Sequence, residues 1–164
     1  MTYKELNDLI ISAEASGPEN FWEHECEFFM LFYNRFSRTP LADIPDVAFM
    51  FMEISSWQGT SFRDGVWQYY ESGASQKGKF ERVISYLKTN GEDEMADIYA
   101  HGIHDYDNEK YQKNYDYPRE WLDDSDDIDK WLMANGKYVF KWMYDFILDH
   151  KNEVLKLAED QPGS

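Results

Sequence analysis

The chain of 164 residues predicts an all-α fold, and three features predict it. Apolar residues recur at spacings of three and four along most of the sequence. No run of strand length alternates apolar with polar residues. Glycine, Asn-Gly and proline stops fall between the periodic segments. The length suits one core, so a single-domain bundle of roughly seven to nine helices over residues 1–160 is expected.

The elements follow in order. Thr2 and Glu5 have the spacing of a capping box, and Leu6, Leu9, Ile10 and Ala13 follow on one face. Gly17-Pro18 ends this helix. Ser16 and Glu19 then have capping-box spacing for a second, with Pro18 in its first turn. That helix sets Trp22, Cys26, Phe29, Tyr33 and Phe36 on one stripe, expected to be core, with Glu19, Glu23 and Glu27 on a wet face. Thr39-Pro40 breaks the pattern. A third helix, entered through Asp43 and Pro45 and running to about Ser56, is apolar on nearly all sides and should be the most buried.

The turn-like stretch from Trp57 leads into a fourth helix, expected from about Ser61 to Gly73. The fifth, from about Ser75, carries Phe80, Val83, Ile84 and Leu87 and stops at Asn90-Gly91. Glu92 to His101 make a sixth, with Met95, Ile98 and Tyr99 inward. Residues 102–129 are acidic and partly irregular, with short helices expected at 118–122 and 126–134. After Asn135-Gly136, a last helix from about Lys137 sets Val139, Trp142, Met143, Phe146, Ile147 and Val154 on one face. The terminal QPGS is expected to add nothing to function.

Charge is the most informative total. The net formal charge is −16, of which residues 91–129 supply −11, with fourteen acids against three bases. Such a chain repels nucleic acid and anionic lipid, so neither is expected as a direct partner, and basic proteins are favoured. Hydrophobic residues at 43% and aromatics at 18% nevertheless supply enough apolar surface for a packed fold. A single cysteine, Cys26, permits no internal disulfide. The N-terminus lacks the pattern of a signal peptide, and no apolar run is long enough to span a bilayer. A cytoplasmic setting is the expectation.

The densest charge is Asp123, Asp124, Asp126, Asp127 and Asp129, preceded by Asp116 and Glu120. Aspartates of this kind can open a helix. As a calcium loop the run fails, because Ile128 and Ala134 stand where Gly and Glu are required. As an interaction surface for a basic protein, all seven residues are candidates, since carboxylates spaced along a helix can imitate phosphates.

Catalytic chemistry is not evident. Glu23, His24, Glu25 and Cys26 adjoin, but sequence neighbours on a helix point apart, and Cys26 is expected as an inert core thiol. No phosphate loop, dinucleotide fingerprint or nucleophile elbow occurs. His101, His104 and Asp105 are the candidate metal ligands, although a complete set is not evident. No cofactor is expected, and an enzyme is unsupported.

The stretch Gly65-Val66-Trp67-Gln68-Tyr69-Tyr70 resembles the central motif of a helical bacterial family of largely unknown function. That motif is an acidic residue, an Asn/Gly-rich turn, then Gly-Phe-x-Gln-Tyr/Phe-Phe. Glu53 takes the acidic place, and Gly65, Gln68, Tyr69 and Tyr70 the later ones. Arg63-Asp64 stand for the usual Asn-Gly, and Val66 for the aromatic. The resemblance extends more weakly over residues 20–155. The best understood member type is a dimeric acidic DNA mimic that binds a transcription regulator. An all-α fold and a homodimer are what the resemblance implies; DNA mimicry is a property of that member type and is not general in the family. The motif residues also have a structural reading. Gly65 would allow an unusual backbone angle, Gln68 would satisfy backbone groups of the turn, and the tyrosines would supply buried area with a polar tip.

The function expected from charge and resemblance is an acidic protein–protein interaction module, DNA-mimic-like in character. An immunity or antitoxin-like protein that occludes a toxin is the alternative, and an uncharacterised enzyme or metal-binding protein the third.

Overall fold

The computed structural model describes residues 1–159; the terminal QPGS lies outside them. Nine α-helices and no strand occur among the described residues, so the fold is all-α. The helices are α1 (Tyr3–Ser16), α2 (Trp22–Phe36), α3 (Asp46–Asp64), α4 (Trp67–Gly73), α5 (Lys79–Thr89), α6 (Asp93–His101), α7 (Glu109–Gln112), α8 (Arg119–Asp149) and α9 (Lys151–Glu159). Two compact units are distinguished: Met1–Ser55 with the described residues from Gly136 onward, and Ser56–Asn135. No helix among the described residues is long and apolar enough to cross a membrane.

In the first unit, α1 has both hydrogen bonds of the Thr2/Glu5 capping box and buries Leu6, Leu9, Ile10 and Ala13. It packs against α2 and α9. The expected second capping box does not form. Gly17, at φ +76°, leads into a 3₁₀ turn, Pro18–Asn20, while the Ser16 hydroxyl donates to the Ser12 carbonyl at 3.0 Å.

The buried stripe of α2 also differs from the expected one. Phe28, Phe32 and Phe36 are buried, with Phe21 just before the helix, and Phe21, Phe28 and Phe32 cluster around Phe51 of α3. Trp22, at 59% exposure, and Tyr33, at 50%, face outward, and Cys26 is exposed rather than a core thiol. The helix is aromatic on two sides. Phenylalanine has no polar atom to satisfy, whereas Trp N–H and Tyr O–H are best left near water, so the phenylalanine side is the one buried. Glu19, Glu23 and Glu27 are exposed as expected.

Helix α3 is the apolar helix expected from its composition, with Val47 to Met52, Ile54, Ser55, Trp57 and Gln58 buried. It does not stop near Ser56 but continues to Asp64. A helical Gly59 costs only about 1 kcal/mol relative to alanine, and the buried Trp57 and Gln58 hold the extra turns in place. The reversal comes instead at Gly65, whose φ of +92° only glycine adopts freely. Consequently α4 starts at Trp67, not at Ser61.

Beyond α4, the second unit follows the periodicity closely. Helix α5 begins at Lys79, after Gly78 in the left-handed region, not at Ser75. It ends as expected at Asn90-Gly91. The Gly91 N–H donates to the Lys88 carbonyl at 3.2 Å and the Glu92 N–H to that of Leu87 at 2.9 Å, the paired bonds of a Schellman stop. Met95, Ala96 and Tyr99 of α6 are buried. The irregular stretch is shorter than expected, because α8 is continuously helical from Arg119 to Ala134. The anticipated gap at 123–125 is helical, whereas the expected interruption at Asn135-Gly136 is present: Asn135 leaves helical geometry (φ −115°, ψ 17°), and two helical segments meet there across a kink. Aspartate is a weak helix former, but burial of Ser125, Ile128 and Leu132 on one side of this segment outweighs that preference.

Candidate functional site

The acidic run lies on the N-terminal turns of α8, and helical geometry sorts it into two faces. Ser125, Ile128 and Leu132 recur at three- and four-residue spacing and are buried. Residues adjoining them turn inward; those opposite turn to water.

Asp129 turns inward. Its carboxylate accepts the Val66 N–H at 3.0 Å and the Ser61 hydroxyl. No side chain near Val66 caps α4, so Asp129, from α8, supplies the cap, with its charge at the positive end of the α4 dipole. The Gln68 side chain was expected to satisfy this turn. Among the described residues it makes no hydrogen bond, and Asp129 has the role instead.

Asp124 is also turned to internal partners. One carboxylate oxygen meets His101 Nε2 at 3.1 Å and the other His104 Nε2 at 2.9 Å. The two histidines therefore converge as their spacing suggested, but on Asp124 rather than Asp105. Asp105 accepts from the Asn108 amide at 2.8 Å. No group of three or more His, Cys, Asp or Glu able to hold a metal ion occurs among the described residues. His104 also stacks on Trp121, centroids 5.1 Å apart and planes within 2°. Trp121 in turn contacts the rings of Tyr106, Tyr111 and Tyr117. These rings order the stretch between α6 and α8 that shows no helical period.

The motif tyrosines lie deeper in the same unit. Tyr70 is fully buried; its hydroxyl accepts Trp57 Nε1–H at 2.8 Å and donates to the Tyr99 carbonyl at 2.7 Å. Burial pushes its phenol well above the ordinary value of 10.0, and the bond from Trp57 only partly opposes this. The Tyr69 and Tyr99 hydroxyls meet at 2.7 Å, and the Lys79 ammonium sits 4.8 Å from the Tyr69 ring centre. Gly102 is required here. A β-carbon on it would lie 2.3 Å from the Tyr70 ring and 2.8 Å from Ile128. Gly65, Gln68, Tyr69 and Tyr70 belong to this unit, whereas Glu53 is half-buried in the first.

The remaining acids face water. Asp116, Glu120, Asp123, Asp126 and Asp127 are all exposed. Asp123 pairs with Arg119 at 2.8 Å and Asp127 with Lys130 at 2.9 Å. The hydrogen bond from Lys130, more than its charge, holds the Asp127 carboxyl below the usual aspartate value. Both pairs are exposed and i,i+3 or i,i+4 in spacing, the kind that contributes little and yields readily.

Two side chains central to this geometry, Trp57 and Asp129 in its capping role, were not singled out from the sequence. Their partners are thirteen and sixty-three residues away, beyond the reach of any local pattern. No family model, curated protein or solved structure matches the chain.

Proposed function

We propose that this chain is an acidic protein–protein interaction module whose α8 stripe engages the basic surface of a partner, the DNA-binding face of a regulator fitting it best. The observation that carries the reading is the sorting of the acidic run. Glu120, Asp123, Asp126 and Asp127 lie exposed within two turns of one helix, while Asp124 and Asp129 have internal partners.

The spacing supports the reading. At a rise of about 1.5 Å per residue, four carboxylates from Glu120 to Asp127 fall at about 3.5 Å per charge along the axis. One strand of B-DNA carries a charge about every 3.4 Å. The stripe thus offers a basic surface the linear charge density of one phosphate strand. Arg119 and Lys130 do not neutralise it durably, since their ammonium and guanidinium groups are free to swing into water. The resemblance of the Gly65–Tyr70 stretch to a family with a DNA-mimic member supports the same reading.

The test is capture from the host lysate at low salt, elution by a salt gradient and challenge with duplex DNA. A basic DNA-binding protein displaced by DNA, and lost by the triple variant Asp123→Lys, Asp126→Lys, Asp127→Lys, is the expected result. Its affinity should fall about tenfold or more between about 50 and 200 mM salt. A partner held equally by the variant would sink the reading, and a captured toxin would replace it with the immunity reading.

A further inference from the structure

A second surface, in the first unit, is built differently. Helices α1 and α2 border an open cleft of about 640 Å³, a size that suits a few side chains. Its floor is apolar, with Leu9 from α1 and Cys26, Met30 and Leu31 from α2. Glu5 and Asp8 line it from α1 and Glu23 and Glu27 from α2; Ser12, His24 and Asn34 complete the lining, which holds no lysine or arginine. Elsewhere on α2, Trp22 and Tyr33 are also exposed, and Met30 is 45% exposed.

The acids differ in what they already bind. Glu5 accepts from the Thr2 backbone and hydroxyl, and Asp8 from Lys4. The side chains of Glu23 and Glu27 make no ion pair or hydrogen bond among the described residues. They stand at i and i+4, where like charges oppose the helix that carries them. A cation placed between them would relieve that repulsion.

We infer that this cleft is a docking site for a cationic amphipathic helix of a partner protein. Apolar side chains at i, i+3 or i+4, and i+7 would lie against Met30 and its neighbours, flanked by Lys or Arg reaching Glu23 and Glu27. Charge complementarity selects this occupant. A second copy of the chain would bring the same carboxylates against themselves, and an anionic lipid surface is repelled by all four. Methionine, unbranched and polarizable, adapts its shape to the side chains it receives. The site is independent of the α8 stripe, because it needs an apolar floor that the stripe lacks.

Cys26, the sole cysteine of the chain and exposed on the cleft floor, reports occupancy directly. The probe is an eighteen-residue helical peptide of leucine and lysine, with leucine on one face, tested beside its leucine–glutamate counterpart. The readout is the rate at which a bulky maleimide modifies Cys26. The lysine peptide should slow modification about tenfold or more at micromolar concentration, and the glutamate peptide should not. Glu23→Lys with Glu27→Lys should raise the peptide concentration needed by about tenfold or more. Met30→Ser should weaken protection, while the α8 triple variant should leave it intact. Equal protection of the Glu23/Glu27 variant, or loss of protection in the α8 variant, overturns the inference. So does protection that grows with protein concentration when no peptide is added, which would assign the cleft to self-association.

Discussion

The inner and outer faces of α8's first turns carry the same residue type and do different work. Asp129 and Asp124 are turned inward: Asp129 accepts hydrogen bonds from the Val66 N–H and the Ser61 hydroxyl, and Asp124 lies against the imidazoles of His101 and His104. Asp123, Asp126 and Asp127, interleaved with them, are exposed and pair at most with neighbours on the same helix. A cluster of acidic letters is therefore two populations. One is structural and short-ranged, set by hydrogen-bond geometry; the other is a field, open to salt and to partners.

The sharpest break of the inner face is Gly102→Ala. The added carbon meets a Tyr70 ring that is fully buried and held at its hydroxyl from two sides, so the ring cannot give way. A loss of about 3 kcal/mol is expected, read by denaturant unfolding. Next is Asp129→Ala, which strands the Val66 N–H and the Ser61 hydroxyl. It should cost about 2 kcal/mol, and hydrogen exchange should rise first at the start of α4. An unchanged exchange rate there would show that Asp129 is not the cap.

Tyr70→Phe should cost about 1.5 kcal/mol near neutral pH by leaving the Trp57 N–H and the Tyr99 carbonyl without their partner. Its pH dependence is more telling. The folded-state phenol is raised above its unfolded value, so the stability linked to its proton is complete below about pH 10 and lost as pH rises through the folded value. The parent should therefore weaken more steeply than Tyr70→Phe in alkali, and parallel curves would contradict this.

The smallest effect belongs to the outer face. Replacing Asp123, Asp126 and Asp127 together by Asn should leave the melting temperature nearly unchanged at about 150 mM salt, where exposed pairs are screened. A large drop in melting temperature would erase the distinction between the two faces.

Much of this was legible in the residues themselves. The Thr2/Glu5 cap, the Asn90-Gly91 stop, the buried face of α1 and the buried Phe80, Val83, Leu87, Met95 and Tyr99 of α5 and α6 follow spacings of three to five residues, whereas Ile84 and Ile98 are only half-buried. The concentration of charge in residues 91–129 needs no structure at all. What only the tertiary structure decided involves a choice between equals or a partner far along the chain. Two faces of α2 were aromatic, and packing against Phe51 selected the phenylalanines. Helix α3 passed through Gly59 because Trp57 and Gln58 found burial. Which aspartates would be bonded and which left to water depended on the phase of α8 against Val66, His101 and His104. Helical periodicity fixes the angle between residues of one helix, but the angle at which that helix meets its neighbours is set by the packing of the whole unit.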